Sequence, residues 1–157
     1  MEEIRYSRVT MGDLPTVVKL RLLFATEMSG LKAPELTDEF EIKNRKYLKK
    51  AISDNSFIAF LAKFEDEISG IGAMVFREQP PTFNNMSGKV GYLMNMYTFP
   101  DFRKQGICSK ILSLLIDEAH RMGISSFELH ATEVGESVYI NNGFKKHGEP
   151  TYRKRII

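Results

Sequence analysis

The feature that most limits the fold is an amphipathic helix pattern that lies between two strand patterns. The helix is predicted over Gly106–Met122, where apolar residues recur at helical spacing, and Gly123 follows as a stop. Val90–Thr98 before it and Ile124–Ala131 after it have the composition of β-strands. A strand–helix–strand connection of this kind gives two parallel strands of one sheet. The sequence therefore predicts a mixed α/β class.

The rest of the chain predicts further strands and helices around that unit. Phe57–Phe64 and Ser69–Phe76, joined by an acidic turn, have the pattern of a hairpin. We expect one domain over residues 1–157, with an α/β (α+β) fold: a central mixed, mostly antiparallel sheet and about four helices. The other predicted elements are strand Ile4–Val9, a helix from a capping box at Thr10 to about Met28, a helix capped by Thr37 that ends near Asn55, helix Val134–Asn141, and strands Phe144–His147 and Thr151–Arg155.

Composition excludes several classes of protein. The chain has 157 residues, of which 43% are hydrophobic and 27% are charged, as in an ordinary globular domain. Its net charge is 22 − 20 = +2, which gives no reason to expect nucleic acid as a partner. The basic residues near the C-terminus are typical of a solvated edge strand, with a polyanion site as the alternative.

Cysteine content and hydropathy bear on location and on metals. The single cysteine, Cys108, has no partner for an internal disulfide or a zinc knuckle, so we expect a reducing, cytoplasmic location and no metal. No run approaches the roughly 18 apolar residues of a membrane span, and the first residues lack a signal-peptide pattern. We therefore expect no association with a membrane.

The segment from Thr98 to Ser109 carries the features of an anion site. A strand ends there, the chain turns at Pro100, and the predicted helix opens at Gly106. A helix N-terminus offers free N–H groups and a partial positive charge, which suit a phosphate or pyrophosphate. Arg103 and Lys104 add positive charge, and the spacing does not match a Walker loop.

At this point the sequence resembles a known family. The run Arg103-x-x-Gly106-x-Cys108 resembles the Arg/Gln-x-x-Gly-x-Gly/Ala signature of the GCN5-related N-acetyltransferases, the GNAT superfamily. Tyr139-Ile-Asn-Asn-Gly143-Phe144 resembles the family's Tyr-x-x-x-Gly-Phe motif. The order of predicted elements matches the family over nearly the whole chain. The resemblance implies the GNAT fold, in which the two parallel strands splay apart.

The resemblance implies acetyl-CoA as co-substrate, bound between the splayed strands. Backbone groups on the strand that ends at Thr98 would pair with the pantetheine arm, and the amides from Arg103 to Ser109 would hold the pyrophosphate. Thr132 stands where many members have an Asn that touches pantetheine. The implied binding residues are Met96, Tyr97, Thr98, Arg103, Lys104, Gln105, Gly106, Ile107, Cys108, Ser109 and Thr132.

The resemblance also implies how the acetyl group moves. The amine would attack the thioester directly, and Tyr139 would protonate the departing thiolate. The strand before the phosphate loop has no carboxylate, so the usual glutamate base is missing; Asn95, its only amide, is a candidate to hold a water or the acceptor. Glu27, Glu133 and His130 are other candidates for the base. A water chain that removes the proton, or an amine that arrives neutral, remains open.

Several residues depart from the family pattern or have a second interpretation. Cys108 replaces Gly or Ala, either as a small side chain that fits or as a reactive thiol at a helix N-terminus. Gly135 replaces a frequent Ala. Met94 and Met96, two apart on one strand, are expected on the same face as core residues.

The acceptor is expected near the first two helices. Glu27 and Glu133 are the candidate acceptor-binding residues, and the acidic residues around Glu35 to Glu39 would favour a cationic amine. The function that we predict is acetylation of a primary amine of a small molecule. Acetylation of a protein N-terminus or lysine is the alternative, as is a non-catalytic acyl-CoA-binding module. Monomer and homodimer both remain open.

Overall fold

One five-stranded sheet organises the chain, and the computed structural model describes residues 3–30 and 34–156. The strands lie in the order β1-β2-β3-β4-β5, so each strand pairs with its neighbours in sequence. Only β4 and β5 are parallel, and the other pairs are antiparallel. The strands are β1 Arg5–Arg8, β2 Phe57–Phe64, β3 Glu67–Glu78, β4 Lys89–Thr98 and β5 Phe127–Glu128.

Helices cover both faces of this sheet. The helices are α1 Leu14–Ser29, α2 Thr37–Ser53, α3 Ile107–Arg121 and α4 Glu136–Asn141. One core cluster joins α1 and α2 to the sheet through residues such as Val17, Phe24 and Leu48, and the other joins α3 to the opposite face through Ile111 and Leu115. The apolar stripe predicted for α3 is this second contact. The predicted fold class, with its parallel crossover, is confirmed.

Two helix starts differ in their capping. Before α1, the Asp13 carboxylate accepts a hydrogen bond from the Thr10 N–H at 2.9 Å, as the capping box predicts. The cap predicted at Thr37 is wrong, because Leu36 is the residue that precedes α2 and, among the described residues, no side chain caps this helix. A short turn of 3-10 helix, Pro34–Leu36, leads directly into α2 and leaves Thr37 as its first residue.

A β-bulge in β4 changes which side chains share a face. Met94 pairs with Ala73 and Tyr97 with Ile71, so two residues, Asn95 and Met96, oppose the single Gly72. Asn95 has a left-handed backbone with φ 54. The expectation that Met94 and Met96 share a face is wrong: Met94 packs in the α1–α2 cluster and Met96 in the α3 cluster.

The end of the chain differs most from the prediction. β5 covers only Phe127–Glu128 of the predicted Ile124–Ala131, and the strands predicted at residues 144–147 and 151–155 do not form. Phe144 packs against the α3 cluster, but residues 145–156 are exposed, Tyr152 to 89%. Without apolar burial, little offsets the entropy cost of ordering a strand there. A solvated edge strand is therefore not the reason for the basic residues at this end.

Candidate active site

The sheet opens where β4 and β5 separate. These strands pair at Gly91 with Phe127 and at Tyr92 with Glu128, while β4 continues to Thr98. In the described part of the chain, no strand pairs with the β5 side of β4 beyond Tyr92. The backbone of residues 93–98 therefore lines a gap. An extended ligand can add to such an edge as a strand does.

The N-terminus of α3 lies just after this edge. Gly106, with φ 77, precedes the helix, and Lys104, with φ 63, is also left-handed. The amides of Ile107, Cys108 and Ser109 occupy the first turn, where a helix supplies no acceptors, and no side chain of the described residues caps them. Left-handed residues next to free amides form concave anion sites. The sequence predicts a phosphate loop at this position, and the assignment of these amides to a phosphate stays a prediction.

Arg103 borders the same mouth. Its Nε donates a hydrogen bond to the Thr98 carbonyl oxygen at 3.0 Å, and its guanidinium carbon lies 5.7 Å from the centre of the Tyr97 ring. These contacts tie the side chain across the turn that joins β4 to α3. Lys104, Gln105 and Gly106 are exposed. Positive charge and free amides therefore occur together at the end of β4.

Tyr139 on α4 lies beside this helix turn. Asn142, from the same end of α4, donates a hydrogen bond from Nδ2 to the Ser109 hydroxyl at 3.2 Å. The Tyr139 ring packs edge-on against Phe144, with centroids 6.1 Å apart. Within the described residues, its hydroxyl has no hydrogen-bond partner. The second family motif therefore holds α4 against the first turn of α3.

Burial determines the protonation of the two groups in this corner. Burial, with a smaller contribution from the nearby Cys108 thiol, raises the pKa of Tyr139 to about 12. Burial also raises the pKa of Cys108. Tyr139 therefore keeps its proton at neutral pH, as a proton donor must. Cys108 is not an activated thiolate, so the structure favours its role as a small, half-buried side chain.

Thr132 and Gly135 build the start of α4. The Thr132 hydroxyl oxygen accepts a hydrogen bond from the Gly135 N–H at 3.2 Å, and its carbonyl oxygen accepts another at 3.1 Å. A Cβ on Gly135 would lie 3.3 Å from the same hydroxyl. Thr132 thus has a local role at this turn, and its hydroxyl proton stays free to donate to a ligand.

Asn95 is held at the bulge from the α1 side. Its Oδ1 accepts a hydrogen bond from Arg21 Nη1 at 3.2 Å, while its buried Nδ2 has no partner in the described residues. Arg21 Nε donates to Asn44 Oδ1 at 2.7 Å. A buried amide donor without an acceptor is costly, so this group is available to a bound molecule.

The candidate bases do not converge on one point. Glu27 is exposed on α1 and accepts a hydrogen bond from the Tyr97 hydroxyl at 3.4 Å. Glu133 is exposed beyond β5, and it has no hydrogen bond or ion pair with the described residues. His130 packs edge-on against Tyr92, with ring centroids 5.8 Å apart. No two of these three residues share a hydrogen bond or an ion pair in the described structure.

A cavity of about 330 Å³ lies on the α1–α2 face of β4. Its polar residues come from α1, α2, β3 and β4, and they are Arg21, Asn44, Tyr47, Arg77 and Tyr92. Met94, which also lines the cavity, adjoins the bulge. None of these five polar residues is predicted from the sequence as a site residue. The expected acidic mouth is not here, because neither Glu27 nor any other carboxylate is among the described lining residues. The positions of Arg21 within an apolar run and of Arg77 on a strand were the available signals.

A second cavity, of about 380 Å³, lies on the other side of α1 and is mostly apolar, with Lys19 as its one charged residue among those described: Thr16, Lys19, Leu20, Leu23, Ile68 and Phe99. The first cavity is the better binding site, since polar groups converge in it. Across residues 3–30 and 34–156, no cluster of three His, Cys, Asp or Glu residues suits a metal ion. None of the described helices is long and apolar enough to cross a membrane.

Comparison with known proteins settles the family. The model of the Acetyltransferase (GNAT) family matches residues 22–142, which include the predicted phosphate loop and Tyr139. The chain belongs to the GNAT acetyltransferase family. It is therefore an N-acetyltransferase that uses acetyl-CoA, and the family predicted from Arg103, Gly106 and the tyrosine motif is confirmed. The sequence matches none of the curated proteins.

Solved structures share the GNAT fold over nearly their whole length. A predicted acetyltransferase of Clostridium acetobutylicum, crystallised with acetyl-CoA, is 27% identical; the match covers 97% of this chain and 96% of that one, with a TM-score of 0.84. A GCN5-related N-acetyltransferase of Ralstonia eutropha is 22% identical, with 97% and 99% covered and a TM-score of 0.81. The aminoglycoside N-acetyltransferase AAC(6')-Iy, in complex with CoA, is 16% identical, with 99% and 97% covered and a TM-score of 0.74. The last two matches show the fold alone.

Proposed function

We propose that the protein transfers the acetyl group of acetyl-CoA directly to a primary amine of a small molecule. The observation that carries this proposal is the position of the 330 Å³ cavity, which adjoins the β4 bulge while the free amides of α3 lie at the end of the same strand. Its walls come from two helices and three strands, as in a pocket for a small ligand. A protein substrate would need an open groove.

The residues at the β4–β5 gap fit acetyl-CoA. The amides of the first turn of α3, with Arg103 and Lys104, would hold the pyrophosphate. The unpaired edge of residues 96–98 would bind the pantetheine arm, with Thr132 as a further hydrogen-bond donor. A Cβ on Gly106 would meet nothing within 4 Å, so space is open in front of these amides. Bound acetyl-CoA would supply the thioester for transfer.

Tyr139 and Asn95 have separate roles in this proposal. Transfer forms a bond between the amine nitrogen and the acetyl carbon and breaks the carbon–sulfur bond. Tyr139 would give its proton to the departing sulfur; its raised pKa keeps this donor protonated at neutral pH but also makes it a weaker acid than an ordinary tyrosine. Asn95 would donate its unpaired Nδ2–H to the acceptor or to a water, and water would take the ammonium proton. Glu27 and Glu133 would act only at the outer mouth.

The remaining proposals follow from the sequence. We propose one catalytic domain in a reducing cytoplasm, with a monomer or a two-fold dimer as its working form. Acceptors of related structures do not decide the substrate. One, an aminoglycoside acetyltransferase from a soil metagenome, was crystallised with sisomicin, at 20% identity to this chain. Such acceptors are polycations, whereas the cavity of this chain is lined by two arginines, which carry a charge of the same sign.

The test is thiol release from acetyl-CoA with a panel of small amines and, separately, with peptides that carry a free N-terminus or lysine. We expect release with small amines, at a rate that Tyr139→Phe lowers. Turnover of peptides alone would replace the proposal with protein acetylation. Binding of acetyl-CoA without release on any amine would leave a non-catalytic binding module.

A further inference from the structure

One arginine, Arg21, lines the 330 Å³ cavity, away from the predicted phosphate loop that Arg103 borders. Arg21 is half-buried on α1, and it is held by two neutral amide oxygens, those of Asn44 and Asn95. Two of its five N–H groups are used in this way. Within residues 3–30 and 34–156 it forms no ion pair with a carboxylate.

Such a cation lacks the partner that burial normally requires. Removal of a charge from water is costly unless an opposite charge compensates it. Burial lowers the pKa of Arg21, with Tyr47 acting in the opposite direction, but a guanidinium stays charged at neutral pH. Asn44 and Asn95 fix its plane and leave the other N–H groups for a ligand. A guanidinium fork of fixed orientation matches a carboxylate in shape and charge.

A second arginine lines the same cavity. The Arg77 guanidinium carbon lies 3.8 Å from the centre of the Tyr92 ring, so the aromatic ring holds this charge over the cavity wall. Arg77 also forms no ion pair with a carboxylate of the described residues. With no acidic residue in the described lining, the field inside the cavity is positive. This field repels a polyamine or a polycationic drug.

We propose that the acceptor is a small amine that carries a carboxylate, such as a free amino acid, and that Arg21 binds the carboxylate. This inference rests on the proposed function, because it assigns the substrate class of the same site. Arg21 contacts Asn95 at the bulge of β4. When the acceptor carboxylate is bound to Arg21, an amine on the acceptor carbon next to that carboxylate therefore lies close to β4. A volume of about 330 Å³ admits a molecule of amino-acid size. Arg77 adds attraction at the wall.

The experiment compares amino acids with their amides, which keep the shape but lose the negative charge. Binding is measured as the rise in melting temperature with coenzyme A present, and turnover as thiol release from acetyl-CoA. For the wild type we expect at least one amino acid to show a KM at least tenfold below that of its amide. Arg21→Gln should remove this preference and leave the KM for acetyl-CoA unchanged. Arg21→Lys should keep part of it, and Arg77→Gln should weaken it less.

A matched control is available on α2. Arg45 is exposed, follows Asn44 in sequence and does not line the cavity, so Arg45→Gln should behave like the wild type. The melting temperature of each unliganded variant shows whether it folds. If Arg21→Gln does not fold, the comparison rests on Arg21→Lys and Arg77→Gln.

The outcomes separate the two proposals. Equal KM values and melting shifts for amides and amino acids, or a preference that persists in Arg21→Gln, overturn the carboxylate site while small-amine acetylation stands. Amino acids that stabilise the wild type but not Arg21→Gln, without thiol release on any amine, support the carboxylate site and refute the proposed function.

Discussion

The two sides of β4 are built by different means. On the side of α3, the proposed acetyl-CoA site consists of backbone: the unpaired strand edge and the amides of one helix turn. On the side of α1 and α2, the cavity consists of side chains from five separate elements, with Arg21 linked to Asn44 and Asn95. The first site suits acetyl-CoA, which is the same molecule whatever the acceptor is. The second site is formed by side chains, so substitutions alone can change which acceptor it binds.

The difference explains why one site is visible in the sequence. A backbone site needs a strand, a turn and a helix in succession, with glycine where the chain is left-handed, so it leaves a contiguous motif at Arg103 and Gly106. A side-chain site uses residues far apart in sequence, and it leaves no such motif. The substrate class therefore has to be inferred from the folded structure.

The largest effect is expected from a substitution beside the free amides of α3, which tests whether the backbone on this side of β4 binds acetyl-CoA. In Gly106→Glu, a carboxylate faces the pyrophosphate position, and a residue with a side chain has to adopt a φ of 77. We expect the affinity for acetyl-CoA to fall at least about a hundredfold, roughly 2.8 kcal/mol, by calorimetry. Gly123→Glu is the control, because Gly123 has a φ of 87 at the other end of α3. An equal loss in both variants would mean that strain, not the phosphate site, is responsible.

The next largest effect is expected in the rate of catalysis, while the binding of acetyl-CoA stays nearly unchanged. Tyr139→Phe removes the hydroxyl but keeps the ring that packs on Phe144. We expect kcat to fall about a hundredfold, the usual size for loss of a general acid, with little change in the Kd for acetyl-CoA. Tyr152→Phe, at a residue that is 89% exposed, should leave kcat unchanged. An unaltered kcat and pH profile in Tyr139→Phe would remove this residue from the mechanism.

The packing of α3 on the sheet gives a smaller effect. A Cβ on Gly72 would lie 2.5 Å from Ile111 Cγ2 and 2.6 Å from Met96 Sδ. Gly72→Ala should therefore destabilise the protein by about 1–3 kcal/mol in urea unfolding, because overpacking forces the helix from the sheet. Gly148→Ala, where a Cβ meets nothing within 4 Å, should cost little. A stable Gly72→Ala variant would show that α3 moves easily.

The smallest expected effect is at Cys108. Burial raises the pKa of this thiol, so its reaction with iodoacetamide should be slower than that of a free thiol at pH 7.5 and should still increase up to pH 9. Cys108→Ala should change the acetyl-CoA affinity less than about threefold, since the first-turn amides remain. Fast alkylation at neutral pH, abolished by acetyl-CoA, would instead restore the reactive-thiol interpretation.

The hydrophobic pattern of the sequence predicted the secondary structure well where it matches the burial of the side chains. The bounds of β2 were predicted as Phe57–Phe64, and those of α3 within one residue at each end. The pattern failed where contacts between residues far apart in sequence determine the local structure. The bulge at Asn95 moves Met94 and Met96 to opposite faces, and no short-range signal in the strand reveals it. The last two strands failed because their apolar residues have nothing to cover them.

The brief pairing of β4 with β5 has a consequence for dynamics. Only two residue pairs connect these strands, so along residues 93–98 the edge of β4 that faces away from β3 has no strand partner in the described part of the chain. Hydrogen exchange at this edge should be fast in the free protein and slow once acetyl-CoA is bound. The co-substrate would then complete the sheet in place of a missing strand, and part of the order of the enzyme would come from the molecule that it consumes.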